Sequence, residues 1–84
     1  MIKLNPFEKY RSFILEDNFK INTSFNYIDI VNFTKIISLE EKEAIIEKDG
    51  KLIKIKGNNM RVARMLEDEL LLIGEVKKVI LGSD

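Results

Sequence analysis

The Asp49-Gly50 pair constrains the fold more than any other feature of this chain. It stands between two runs rich in isoleucine and lysine, residues 45–48 and 51–56. Asp-Gly favours the left-handed backbone conformations of a two-residue hairpin turn, so this stretch predicts a strand, a tight turn and a second strand. Short apolar runs then continue to Leu81, and polar or glycine-containing breaks separate them. This cadence is typical of small all-β domains.

The periodicity of apolar residues changes along the N-terminal part of the chain. Asn5 as a cap, Pro6 at the first helical position and Glu8 three residues after the cap predict a short helix over about residues 6–15. From Phe19 onward, apolar and polar residues alternate with a period of two, which predicts strands. Two strands are expected on either side of residues 25–26, and further strands at 34–39, 43–48, 51–56, 60–65, 69–73 and 77–81.

The predicted fold is mainly β: a small antiparallel meander forming a compact sandwich or barrel-like sheet, with the short N-terminal helix beside it. Length limits the chain to one domain, residues 1–84, in which the β part covers about residues 18–82. Neighbouring apolar residues such as Ile36-Ile37 and Ile45-Ile46 place apolar side chains on both faces of their strands. The second face is either buried by the sheet and helix themselves, which is the favoured interpretation, or packs on a partner protein or a second copy.

Composition excludes several functions. Fourteen basic and fourteen acidic residues cancel, so the chain lacks the excess positive charge that supplies nonspecific affinity for nucleic acid or anionic membranes. No cysteine is present, which removes disulfides and thiolate catalysis and is compatible with a reducing compartment. The apolar run at residues 70–73 is far too short to span a membrane, and the N-terminus has no long apolar segment. A cytoplasmic location is therefore expected.

Two acidic clusters are candidate sites for chemistry. Residues 40–43 and 67–69 each hold three acidic side chains, but neither has the ligand spacing of a calcium loop. They are interpreted as solvated turns. With no histidine, no cysteine and no phosphate-binding glycine loop, the sequence predicts no enzyme activity, no metal and no cofactor. Three glycines, Gly50, Gly57 and Gly74, are interpreted as turn or bulge residues.

A basic stretch supports an alternative function. Adjacent strands could align its side chains into a stripe that binds phosphates, as in a small nucleic-acid-binding β-barrel. A charged outer face of the sheet is the favoured interpretation, because no aromatic platform for stacking bases accompanies the stretch. The residues of this candidate basic patch are Lys54, Lys56, Arg61 and Arg64.

The order of residues in the C-terminal two thirds resembles a known family. Residues 30–33, the acidic turn at 40–42, the strand ending at Asp49-Gly50, residues 53–62 and residues 69–76 are similar to the YabP/YqfC family of sporulation proteins, and closer to its YqfC-like members. The resemblance covers roughly residues 26–81. It implies a small non-enzymatic protein made during endospore formation, associated with assembly in the developing spore or its envelope. The family supplies no catalytic site to transfer.

The sequence therefore predicts a sporulation-associated structural or interaction module, located in the cytoplasm of the sporulating cell. Its expected partner is another protein, which could be membrane-anchored or belong to the spore envelope, or another copy of the chain. No cofactor is expected. The candidate interaction face is the side of the sheet that the sequence pattern assigns less clearly to the core. It consists of Ile37, Leu39, Ile46, Leu52, Leu70, Leu72 and Val79.

Overall fold

The computed structural model describes residues 2–4, 11–14 and 19–82, and all regular structure in this part of the chain is β-strand. The mainly β prediction is thus confirmed. The strands are β1 (Ile2–Leu4), β2 (Arg11–Ile14), β3 (Lys20–Thr23), β4 (Tyr27–Val31), β5 (Lys35–Leu39), β6 (Glu43–Lys48), β7 (Lys51–Met65) and β8 (Glu69–Gly82). No helix among these residues has the length and apolar character needed to cross a membrane.

The strands form one open antiparallel sheet. Its order is β2-β3-β4-β8-β7-β6-β5, and β1 pairs separately with the C-terminal end of β8. The β6–β7 hairpin lies where the Asp-Gly signal predicts it, with Lys48 opposite Lys51 next to the turn. Asp49 and Gly50 have φ values of 51° and 85°, the left-handed conformations that such a turn requires.

Two strands are much longer than the sequence predicts. The sequence predicts separate strands at residues 51–56 and 60–65, but both belong to the 15-residue β7. Residues 69–73 and 77–81 likewise both belong to the 14-residue β8. Gly57 and Gly74 therefore lie inside strands rather than at turns. The β7–β8 ladder shifts register at Lys56/Gly57 and again after Asn58, so the polar and glycine residues form bulges that bend the hairpin without reversing the chain.

Because of this bend, the two ends of the long hairpin have different neighbours. The first part of β7 pairs with β6, whereas the first part of β8 pairs with β4. The buried side chains nevertheless form a single core cluster that draws on β3, β4, β6, β7 and β8. Its members are Phe19, Ile21, Ile28, Ile30, Phe33, Ala44, Ile46, Ile53, Ile55, Met60, Leu70, Leu72, Val76 and Val79.

The predicted N-terminal helix is not confirmed by the described residues. Residues 11–14 form β2, which pairs with β3 in the register Arg11 opposite Thr23 and Ile14 opposite Lys20. The other residues of the predicted helix, 6–10 and 15, lie outside the described part of the chain. Local capping signals favoured a helix, but the edge of β3 offers a ladder of backbone hydrogen bonds, and such tertiary pairing commonly overrides local propensity.

Candidate functional site

One segment of the sheet presents both an unpaired edge and exposed apolar side chains. Residues 61–65, the last part of β7, pair with β8 on one side, and no other described strand pairs with their opposite side. All five residues are exposed, as is the following Leu66. Val62 is 41% exposed, Met65 50% and Leu66 54%. We call residues 61–66 the β7 edge segment.

The bend in the hairpin explains why this edge is free. The pairing of β6 with β7 ends at Glu43 opposite Lys56. Beyond it, the loop before β6 makes two further backbone hydrogen bonds: the amide of Gly57 donates to the carbonyl of Lys42 (3.0 Å), and the amide of Met60 donates to Glu41 (2.9 Å). After Met60, β7 makes no further backbone hydrogen bonds to β6 or to the loop before it. Among the residues that the structure describes, no strand pairs with its outer backbone groups there, and another strand could add to them.

Val62 and Met65 of the β7 edge segment lie on the core side of the sheet. Val62 stands opposite Leu72 and Met65 opposite Leu70, and both partners belong to the core. Arg61 and Arg64 stand opposite Ile73 and Leu71 and so lie on the other face. Val62 and Met65 are therefore inward-facing positions that none of the described strands covers.

A groove of about 290 Å³ adjoins this edge. Its lining is largely apolar, because side chains of the core reach the surface there beside the loop that precedes β6. Three charged side chains, Glu40, Glu41 and Arg61, stand at the same groove. An extended peptide added to the edge could therefore form backbone hydrogen bonds and place apolar side chains in the groove. The groove is lined by Leu39, Glu40, Glu41, Ala44, Met60, Arg61, Val62 and Leu72.

A second groove, of about 420 Å³, lies on the opposite face around Asp29. Register places Asn22, Asp29, Leu71 and Arg64 in one row across four strands. The Arg64 guanidinium donates to the Glu69 carboxylate at 3.1 Å. One Asp29 oxygen, Oδ1, is buried and has no hydrogen-bond partner. The groove is lined by Asn22, Tyr27, Asp29, Arg64, Leu71 and Ile73.

The two carboxyl groups beside this groove titrate differently. Burial raises the pKa of Asp29 to about 6, and the hydrogen bond to Glu69 and the charge of Glu69 act in the same direction. The same hydrogen bond lowers the pKa of Glu69, and Arg64 contributes to the lowering through its charge and its own hydrogen bond. Below about pH 6 the arrangement is thus a protonated Asp29 beside an ionised Glu69 that Arg64 neutralises. It explains how two carboxyl groups can adjoin on one face of the sheet.

Metal binding finds no support in the described residues, where no three acidic side chains converge to form a site. The acidic residues of the predicted turns serve other contacts. Glu43 approaches Lys56 at 3.8 Å, and Glu69 pairs with Arg64. Glu67 and Asp68 lie in the exposed connection between β7 and β8.

The structure divides the predicted interaction face. Ile46, Leu70, Leu72 and Val79 are core residues with at most 2% exposure, so they cannot form a surface in the folded chain. Leu39 is partly buried against the core, and Leu52 is half-buried. Ile37 is 48% exposed on β5. The prediction of a single face is corrected because its residues lie on both faces of the sheet: Ile46 stands opposite the core residue Ile53, whereas Leu52 stands opposite Glu47.

The predicted basic patch is spread along β7 rather than gathered into one cluster. Lys54 and Lys56 precede the bend, and Arg61 and Arg64 follow it. Lys56 and Arg64 each form an ion pair with a glutamate, which offsets their charge. These pairs leave less free positive charge for phosphate groups than the sequence alone indicates.

Several residues of the β7 edge segment and of the second groove have no distinguishing signal in the sequence. Val62, Met65 and Leu66 occur at ordinary strand positions, and their exposure follows from the missing neighbour strand. Asp29 occupies a polar position in the alternation of β4, where a solvated carboxylate is the usual expectation. The one distinctive sequence feature of this segment is its order of charges within residues 61–68, with the arginines first and the acidic residues last.

Comparison of the chain with protein-family models, with curated proteins and with solved structures finds no match.

Proposed function

We propose that the protein is a non-enzymatic interaction module, built as a small sandwich-like β domain, that binds a protein partner through the β7 edge segment. The observation that carries this proposal is the coincidence of a strand edge that no strand in the described part of the chain pairs with and three exposed apolar side chains, Val62, Met65 and Leu66. Edge strands in soluble proteins usually avoid this combination, since it promotes strand addition. The adjoining groove offers apolar contacts to the added strand.

The biological setting of this binding rests on the resemblance to the YabP/YqfC family. It favours a role in endospore assembly, with a partner that is another protein of the developing spore, either anchored in a membrane or part of the envelope, or a second copy of the chain. The module acts from the cytoplasm of the sporulating cell in this proposal. No catalytic residue, metal or cofactor enters it.

The first prediction tests whether the β7 edge segment binds the partner. We expect Leu66→Glu to weaken partner binding by about thirtyfold or more, because a carboxylate would be desolvated in an apolar contact. Ile37→Glu is the matched control: its side chain is similarly exposed, but it lies on β5. Tagged chains would be recovered from sporulating cells of the source organism, partners identified by mass spectrometry, and heat-resistant spores counted.

Both variants should keep the wild-type circular dichroism spectrum, because both positions are about half exposed. Loss of partner and spores for Leu66→Glu, with normal values for Ile37→Glu, supports the proposal. The opposite result would locate binding at β5. Normal partner recovery and spore counts for both variants would reject the edge as the functional surface.

A further inference from the structure

The β7 edge segment can pair with itself in a second copy of the chain. We infer that two copies associate about a two-fold axis by antiparallel pairing of their β7 edge segments, an inference that rests on the proposed use of this edge. Three independent features of the segment point to a second copy as its partner: the order of its charges, the faces of its side chains and its length.

The charges of the segment are arranged for antiparallel self-pairing. Arg61 and Arg64 stand near its start, and Glu67 and Asp68 follow its end. In an antiparallel pair, the Arg61 end of each copy meets the acidic end of the other, and the two-fold axis repeats the contact. A parallel pair would instead place like charges side by side. Glu40 and Glu41 of the same chain line the groove together with Arg61. In the pair, Arg61 therefore lies between these two glutamates and the acidic end of the second copy.

The side-chain faces select one register. Val62 and Met65 lie on the core side, and the register shift between Val62 and Arg64 gives the segment an extra residue at Ala63. Placing Val62 opposite Met65 of the second copy sets core-side residue against core-side residue, twice by symmetry. Arg61 then stands opposite Leu66 of the second copy, one residue from Glu67. Shifting by one residue would set Arg61 opposite Met65, or Val62 opposite Leu66, and either register matches an inward with an outward side chain.

The remaining charges near the axis do not oppose this register. Ala63 stands opposite Arg64 of the second copy, so the two Arg64 side chains approach one another. Each is already paired with Glu69 of its own chain at 3.1 Å, which offsets the repulsion. The paired length is also limited on both sides. In this register Glu67 of one copy reaches Met60 of the other. The pairing ends there, because the chain turns away at Glu67-Asp68 and the Met60 amide already donates to Glu41 in the loop before β6.

Such an interface is short, so the dimer should dissociate in the micromolar range, as is usual for contacts below about 1,200 Å². Sedimentation of the full chain should show a concentration-dependent equilibrium between monomer and dimer. Arg61→Glu alone, and Glu67→Lys with Asp68→Lys, should each raise the dimer dissociation constant roughly fivefold or more. The three changes combined in one chain should restore wild-type association, because the complementary charges then meet with exchanged signs.

Register is tested by cross-linking, since the chain has no cysteine of its own. A mixture of Val62→Cys and Met65→Cys chains should form disulfide-linked dimers on mild oxidation, whereas either variant alone should form far fewer. A wild-type chain that stays monomeric at high micromolar concentration, a triple variant that fails to recover, or cross-links independent of mixing would overturn the inference.

These outcomes are separate from those of the proposed function. A monomeric wild type whose Leu66→Glu variant still loses its partner would reject the second copy and retain the edge as a binding site for another protein. A dimer with the expected cross-links, together with normal spores for Leu66→Glu, would retain the inference and reject the proposed function.

Discussion

Asp29 shows how one buried carboxyl group makes the stability of this chain depend on pH. Its pKa rises from an ordinary value of 3.8 to about 6 on folding, chiefly through burial. Between these pH values the folded chain holds a proton that the unfolded chain has released. The free energy of unfolding therefore falls as pH rises through this window. Glu69 acts in the opposite sense at lower pH, because its lowered pKa stabilises the fold above about 4.5 and this stabilisation is lost on further acidification.

We expect Asp29→Asn to remove the cost of ionising Asp29 while keeping a hydrogen-bond donor for Glu69. The variant should be more stable than the wild type at pH 8, by on the order of 1 kcal/mol after allowance for solvent screening, and nearly equal to it at pH 4. Urea unfolding across pH 4 to 8 measures the difference. Glu67→Gln, at an exposed position, serves as the control and should follow the wild type. An unchanged pH profile for Asp29→Asn would contradict the assignment.

At the scale of elements, the bend of the β7–β8 hairpin depends on two close backbone approaches. A Cβ atom on Gly57 would overlap the carbonyl oxygen of Glu75. A Cβ on Gly74 would lie 2.6 Å from the Asn59 carbonyl oxygen. Gly74 also has a φ of 149°, a backbone conformation that residues other than glycine rarely adopt. The bend therefore requires glycine on both strands, and the free edge of β7 exists because of the bend.

Gly57→Ala and Gly74→Ala should each destabilise the fold by about 3 kcal/mol or more, because the added methyl group meets backbone atoms that have no room to move. Gly50→Ala is the matched control. Gly50 has no atom within 4 Å of an added Cβ, so only its φ of 85° opposes the change, and about 1 kcal/mol is expected. Denaturant unfolding distinguishes them. Equal losses of unfolding free energy at all three positions would indicate that the backbone around Gly57 and Gly74 can move to accommodate a methyl group.

At the scale of the whole molecule, a single core joins the two halves of the bent sheet. Leu72 and Val62 stand opposite one another, yet Leu72 is 2% exposed and Val62 is 41% exposed. The difference arises because Leu72 lies on β8, which has neighbours on both sides, whereas Val62 lies at the edge. Burial in this small domain is thus decided by position in the sheet rather than by residue type.

Leu72→Ala should cost about 3 kcal/mol of unfolding free energy, through lost apolar burial and the cavity that remains. Val62→Ala should cost less than about 1 kcal/mol in the monomer, since much of that side chain is already in contact with water. Leu72→Glu should unfold the chain, because a carboxylate cannot be hydrated at a fully buried position. Thermal unfolding at low protein concentration compares the variants. A stable, folded Leu72→Glu chain would show that Leu72 belongs to a surface after all.

Local sequence determined the β class, the Asp49-Gly50 hairpin and most strand positions, because these depend on turn chemistry and on the alternation of neighbouring residues. Phe19, Ile21, Ile28 and Ile30 alternate with polar residues and are indeed buried. The resemblance to a sporulation family also came from the sequence, and the biological role remains a proposal.

Tertiary structure alone decided which glycines turn the chain and which bend it, since Gly50 and Gly57 both look like breaks between apolar runs. It also decided that residues 11–14 pair as a strand and that Leu72 is core while Val62 is exposed. The pairing of Asp29 with Glu69 joins residues 40 positions apart. Each of these outcomes depends on which strand lies alongside, and this neighbour is chosen by packing between segments distant in sequence.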